Sequence, residues 1–181
     1  WIKDSRVFQV NRLQAYSDHI YTIGKDKKPS SFSLNGTWKF NLSKNYDSCF
    51  KFFYNTEFND SNWNDIQVPG HIQLQGFDNP HYTDVTYPWD GHDVVKPGQI
   101  DMDKNKVYQY RKTFDCPQDF MGNRLILSFE GAESNIYVWL NGKFIGYSED
   151  SFTPSRFDIT KYTQEKDNVL CVRIFQKCTG T

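Results

Sequence analysis

The chain of 181 residues carries 21 basic and 22 acidic side chains, which leaves a formal net charge of −1. This length allows one domain with a sizeable core, and the balanced charge gives no electrostatic reason to expect nucleic acid or an anionic membrane as a partner. No apolar run approaches the ~18 residues that a membrane-spanning helix needs. The chain does not begin with Met and stops just after an apolar run, so we expect a fragment of a larger protein.

Four cysteines are spread along the chain, at Cys49, Cys116, Cys171 and Cys178. They form no C-x-x-C pair, and no cysteine–histidine cluster has the spacing of a zinc site. We therefore predict reduced structural thiols in a cytoplasmic protein, with disulfides as the alternative. Aromatic residues make up 17% of the chain. Most of them should fill a β-sandwich core, although the C–H face of a sugar also packs well on an aromatic ring.

In chain order, residues 1–31 are polar and irregular, and we expect an extended arm that lies on a neighbouring domain or subunit. From residue 33 onward, short runs alternate apolar and polar residues, as Trp38, Phe40 and Leu42 do, and turn residues separate the runs. The predicted strands are 33–42, 66–70, 107–114, 124–130, 136–140, 143–147, 157–159 and 169–175.

Turn chemistry supports the same interpretation. Asn141-Gly142 lies between two alternating runs and is the strongest short-range hairpin signal. An aromatic-rich run at 50–58 ends in a cluster of turn residues at 59–62, and no stretch has a convincing amphipathic helix pattern. Many short strands at near-regular spacing predict an all-β fold, an antiparallel sandwich or jelly roll.

Residues 70–105 form a long segment with little periodicity, rich in Gly, Pro, His, Asp and aromatic residues. Long structureless loops in compact domains are often binding loops, so this segment is a candidate site. The histidines lie in loops and form no H-E-x-x-H or Ser/His/Asp signature. Acidic residues are plentiful, but spacing alone does not single out a catalytic pair of carboxylates.

Two motifs are more specific. Tyr-Thr-x-Val-x-Tyr-Pro spans 82–88, and Gly-Tyr-x-x-Asp-Ser-x-x-Pro-Ser-x-Phe-Asp spans 146–158. Together with segments 34–40 and 68–76, and with Asn11-Arg12-Leu13, they closely resemble the N-terminal domain of glycoside hydrolase family 2 β-galactosidases. The resemblance covers nearly the whole chain, and its motifs occur in the family's order.

The resemblance implies a galactose-binding-domain-like jelly-roll sandwich at 32–181, preceded by the arm at 1–31. In this family a downstream TIM-barrel domain supplies both catalytic glutamates, so no catalytic residue is expected in this chain and the chain alone should be inactive. The full-length protein would be a retaining β-galactosidase that hydrolyses terminal β-D-galactosides such as lactose, and it would form a homo-oligomer.

The resemblance also implies two substrate-binding residues, Asp84 and Asp150. Asp150 matches the aspartate that contacts galactose hydroxyls and helps to hold a sodium ion; magnesium is the second metal implied for the full-length enzyme. A carboxylate suits this role as a strong acceptor and a hard oxygen ligand. The alternative for Asp150 is a turn aspartate that caps backbone amides. Asp84 stands where the family usually has asparagine, and its alternative is an Asx-turn.

Other interpretations stay open at this stage. Tyr87 and Trp89 could line the pocket, but they are better explained as buried loop anchors. The segment 176–181 departs from the family pattern, in which a Trp and an acidic residue are common. The family also contains β-glucuronidases and β-mannosidases. Outside enzymes, the alternatives are a free-standing carbohydrate-binding module and a purely structural domain.

Overall fold

The computed structural model describes residues 1–15, 31–80, 95–96 and 98–179. This part of the chain contains nine strands and two short 3₁₀ helices, Gln73–Gln75 and Gln118–Phe120, and no α-helix. The strands are β1 Gln9–Val10, β2 Gly36–Ser43, β3 Asn64–Val68, β4 Val107–Phe114, β5 Ile126–Phe129, β6 Ile136–Leu140, β7 Lys143–Ser148, β8 Ser155–Asp158 and β9 Asn168–Phe175. Neither of the helices in these ranges has the length and apolar character needed to cross a bilayer.

The strands form two antiparallel sheets. The larger sheet has seven strands in the order β1-β7-β6-β9-β4-β2-β3, and the smaller sheet pairs β5 with β8. Each of the eight predicted strands overlaps an observed one, and β4 has the bounds that were predicted. The prediction of an all-β antiparallel sandwich is therefore confirmed.

The main core lies between the two sheets. Phe40 of β2, Val138 of β6 and Leu140 of β6 contribute from the larger sheet, and Leu127 and Phe157 contribute from the smaller one. Successive side chains of a strand point to opposite faces, so the apolar members of each alternating run enter this core. Alternation in the sequence is thus the cause of the two-layer arrangement.

The opposite face of the larger sheet is also covered. The aromatic-rich run at 50–58 is not a strand; it folds as turns over this face, where Phe53 packs on Trp63 and Trp139. Arg111 of β4 is buried beneath this run, donates to the carbonyl oxygens of Phe53 and Asn55, and pairs with the Asp60 carboxylate at 2.7 Å. A buried arginine is tolerated because its guanidinium is hydrogen-bonded in this way.

The predicted hairpin is present. Leu140 pairs with Lys143, and Asn141 and Gly142 between them have φ angles of 50° and 77°. Positive φ at both central residues is typical of the hairpin turn whose twist matches the strands, and Asn-Gly is the dipeptide that adopts it most readily.

The described part of the arm, residues 1–15, contacts the sandwich. Its contact with a neighbouring domain or subunit stays a prediction. Gln9 and Val10 pair with Ser148 and Tyr147 and extend the larger sheet at its edge. Ile2 is buried in a small cluster that includes Phe175. The physical reason is that β7 would otherwise present an unpaired edge, and Ile2 supplies apolar surface to bury. Residues 16–30 lie outside the described residues.

Candidate functional site

Asp150 lies in the loop of residues 149–154, which leaves β7 in the larger sheet and enters β8 in the smaller one. We call it the crossover loop. The Oδ1 atom of Asp150 accepts hydrogen bonds from the backbone N–H groups of Phe152 and Thr153, both at 3.0 Å. Asp150 therefore caps its own turn, which is the alternative role considered for it from sequence.

The Oδ2 atom of Asp150 has two further donors. The Thr153 hydroxyl donates a short hydrogen bond to it, and Nη2 of Arg12 lies 3.1 Å away. The hydrogen bond from the Thr153 hydroxyl, with the two backbone amides and Arg12, lowers the pKa of Asp150 to about 2. The carboxylate is therefore ionised at neutral pH, and 33% of its side-chain surface is exposed. It is a fixed anion with one open face.

The N-terminal arm holds the crossover loop through three consecutive residues, which we call the arm clip. The side chain of Asn11 donates to the Ile145 carbonyl oxygen at 3.0 Å. Arg12 pairs with Asp150, and the Leu13 N–H donates to the Arg156 carbonyl oxygen at 2.8 Å. The clip thus contacts β7, the loop and β8 in turn. Sequence reasoning missed the role of Arg12, although Asn11-Arg12-Leu13 was part of the resemblance.

Glu149 joins a third segment to the site. Its backbone N–H donates to the Phe8 carbonyl oxygen at 2.9 Å, and its carboxylate accepts a short bond from the Tyr147 hydroxyl. The Thr179 hydroxyl lies 3.2 Å from the other oxygen of this carboxylate. Burial, followed by the bond to Glu149, raises the pKa of Tyr147, so the phenol stays neutral and acts as the donor. The arm, the crossover loop and the C-terminal segment therefore meet beside Asp150.

The second predicted contact, Asp84, lies outside the described residues, as do Tyr87 and Trp89. On the C-terminal side of that stretch, Ile100 packs with Ile2 in the small cluster that also contains Cys178. The contact of Asp84 with the substrate stays a prediction. His71, at the start of the candidate binding segment, is exposed.

The described residues do not form a complete metal site. No group of three or more His, Cys, Asp or Glu side chains within these ranges could hold a metal ion. Asp150 offers hard oxygen atoms, and about a third of its side-chain surface is exposed. These residues could supply one ligand to a sodium ion and not a full coordination shell.

Comparison with known proteins identifies the family. The sequence model described as "Glycosyl hydrolases family 2, sugar binding domain" matches residues 32–181. The chain belongs to glycoside hydrolase family 2. The resemblance drawn from the motifs is confirmed.

Relatives of this family 2 domain are much longer than the chain. The chain is 50% identical to a β-galactosidase of Halalkalibacterium halodurans over 100% of the chain and 18% of that protein. It is 45% identical to a β-galactosidase large subunit of Leuconostoc lactis over 99% of the chain and 31% of that subunit. The chain therefore spans less than a third of either relative.

A solved structure supports the fold. A β-glucuronidase from an uncultured Clostridium sp. superposes with a TM-score of 0.53 at 26% identity, over 78% of this chain and 21% of that one. The likeness covers the sandwich and not the length of the enzyme. It shows that a β-glucuronidase contains the same domain fold.

Proposed function

We propose that this chain is the sugar-binding N-terminal domain of a retaining β-galactosidase, with the arm at 1–31 and the sandwich at 32–181. The observation that carries the proposal is the 50% identity to a β-galactosidase across the whole chain. The substrate class is a terminal β-D-galactoside such as lactose. The full-length enzyme would use two carboxylates of a downstream barrel domain, by double displacement through a galactosyl-enzyme.

Asp150 is the residue proposed to contact the sugar. Its ionised carboxylate is a strong acceptor for sugar hydroxyls, and its four hydrogen bonds hold it in one orientation. A binding group that is already fixed loses little conformational entropy when the ligand arrives. The exposed third of the side chain is the face available to galactose. Asp84 is proposed as a second contact, and a sodium ion beside Asp150 and a magnesium ion elsewhere are proposed for the full-length enzyme.

The test is replacement of Asp150 in the full-length enzyme, with Asp158 as the matched control. Asp158 makes similar contacts at the other end of β8: it accepts from the Thr160 N–H and hydroxyl, pairs with Arg124, and also has its pKa lowered to about 2. Asp150→Ala should lower kcat/KM for a chromogenic β-galactoside by about 100-fold or more, because the sugar hydroxyls lose the carboxylate that accepts their hydrogen bonds. Asp158→Ala should stay within about three-fold. Equal effects of the two replacements would contradict the proposal.

The superposed β-glucuronidase structure suggests β-glucuronidase activity as a second candidate function. Assay of the full-length enzyme with chromogenic β-galactoside and β-glucuronide separates the two. Faster turnover of the galactoside is expected, since the β-galactosidase relatives are 50% and 45% identical against 26% for that structure.

We further propose a cytoplasmic enzyme that assembles as a homo-oligomer. The cytoplasmic location is supported by Cys49, Cys116 and Cys171, which are buried free thiols. Thiols that persist unpaired are typical of a reducing compartment.

A further inference from the structure

The guanidinium of Arg12 occupies an unusual position for an arginine of a terminal arm. Its side chain is only 6% exposed. Its Nη2 atom lies 3.1 Å from Asp150 Oδ2, 2.6 Å from the Thr153 hydroxyl oxygen and 3.1 Å from the Pro154 carbonyl oxygen. These acceptors belong to both ends of the crossover loop, so Arg12 closes the loop across its base.

The contact is also electrostatic. Glu149 and Asp150 are adjacent carboxylates, and the ion pair described for Asp150 is the one with Arg12. Without Arg12, the Asp150 carboxylate keeps its hydrogen bonds from Phe152 and Thr153 but loses this cationic partner. The Nε atom of Arg12 is buried and makes no hydrogen bond within the described residues, so the guanidinium is held mainly by the loop that it closes.

The backbone of the arm clip fixes Arg12 in turn. Asn11 has a φ of 56° and donates from its side chain to Ile145, while Leu13 bonds to Arg156. The two flanking residues are therefore tied to strands in different sheets. Arg12 is presented to Asp150 by a rigid support and not by a freely moving tail.

We propose that Arg12 is a positioning residue that fixes the Asp150 carboxylate for its contact with the sugar. The inference rests on the proposed function of Asp150 and goes beyond it, because it makes the N-terminal arm part of the galactose site. The alternative is that Arg12 only fastens the arm to the sandwich.

The two roles differ in kinetics of the full-length enzyme. A positioning role requires Arg12→Ala to raise KM for a chromogenic β-galactoside and the inhibition constant of free galactose together, by about 10- to 100-fold, as displaced binding groups do. A fastening role lowers only the active fraction, and hence kcat, and leaves both binding values unchanged. Arg12→Lys keeps the charge but loses the planar guanidinium, so its KM and galactose inhibition constant should lie between those of Arg12→Ala and the parent.

Arg6 provides the matched control in the same arm. It pairs with Asp4, and its side chain is 87% exposed. Arg6→Ala should therefore leave KM and the inhibition constant of galactose within about two-fold of the parent values. In the double variant Arg12→Ala/Asp150→Ala, the loss should not exceed that of Asp150→Ala alone, because Arg12 acts through Asp150. Multiplying losses, or unchanged binding in Arg12→Ala, would overturn the inference.

If Arg12→Ala does not fold, Thr153 gives a second test, since its hydroxyl lies between Arg12 and Asp150. Thr153→Val should raise the inhibition constant of galactose by about 10-fold, and Thr153→Ser should return it to the parent value; parent values in both variants would overturn the inference. Failure of the proposed function is separately visible: unchanged kinetics in Asp150→Ala would refute the sugar contact itself. A large loss in Asp150→Ala with normal Arg12→Ala would refute only the positioning role.

Discussion

Gly146 of β7 should not tolerate even a methyl group. It lies opposite Val138 in the larger sheet, and its Cα faces the ring of Phe157 in the smaller sheet. A Cβ atom built at this position would lie 2.4 Å from two ring carbons of Phe157 and 2.8 Å from the Val10 carbonyl oxygen. The glycine of the 146–158 motif therefore marks a close approach of the two sheets and the arm.

The cost of Gly146→Ala follows from these distances. Carbon atoms in contact lie ~3.5–4.0 Å apart, so the ring must retreat by roughly 1 Å from its 2.4 Å contact. Phe157 is fully buried. Overpacking of this kind costs ~1–3 kcal/mol, and displacement of the Val10 carbonyl also disturbs the pairing of β1. We expect a loss of about 3 kcal/mol, or roughly 6–12 °C in Tm for a chain of this size.

Urea unfolding of the chain, followed by tryptophan fluorescence, measures this loss. Gly131→Ala is the matched control, because its Cβ would meet only the Ser151 carbonyl oxygen at 3.6 Å and should change stability by less than about 0.5 kcal/mol. Phe157→Leu should relieve part of the clash, so the double variant Gly146→Ala/Phe157→Leu should be more stable than the sum of the single losses predicts. A Gly146→Ala variant within about 0.5 kcal/mol of the parent would refute the close approach of the sheets.

Two further predictions concern ionisation. Burial raises the pKa of Cys171 to about 12, and all four thiols are buried. At pH 8 the native chain should therefore resist Ellman's reagent, whereas the chain unfolded in urea should react fully. Rapid labelling of Cys171 in the native chain, located by mass spectrometry, would contradict this. Burial raises the pKa of Tyr137 from 10.0 to about 12, so the neutral phenol stabilises the fold fully below pH 10. The contribution of Tyr137 to the free energy of unfolding should then fall by about 3 kcal/mol as the pH rises toward 12. Urea midpoints at pH 8, 10 and 11.5 measure the fall, which should be shallower in Tyr137→Phe; a constant midpoint would count against it.

The strands show what local patterning can predict. β4 and the hairpin of β6 and β7 were found from alternation and from Asn141-Gly142, because both signals depend on neighbouring residues alone. β1 was missed, since Gln9–Val10 has only two residues and becomes a strand solely by pairing with β7. The predicted strand 157–159 lies at Ser155–Asp158, where pairing with β5 sets the register.

The candidate site divides in the same way. Asp150 was found because a motif of the crossover loop resembles a known family, and the structure then shows the hydrogen bonds that fix its carboxylate and lower its pKa. Arg12 could not be assigned a role, because it lies 138 residues from Asp150 and its contact depends on the order of strands in the sheet. Asp84 lies outside the described residues, and its role stays a prediction.

The amino-acid sequence by itself determined that this protein is an antiparallel β-protein with a hairpin at Asn141-Gly142, because alternation and turn chemistry act over a few residues. Only the tertiary structure decided which strands are neighbours, that the aromatic run at 50–58 covers the outer face of the larger sheet, and that Arg12 reaches Asp150. These outcomes depend on which distant apolar surfaces and sheet edges pack together. Local sequence patterns do not encode the choice between such alternative pairings.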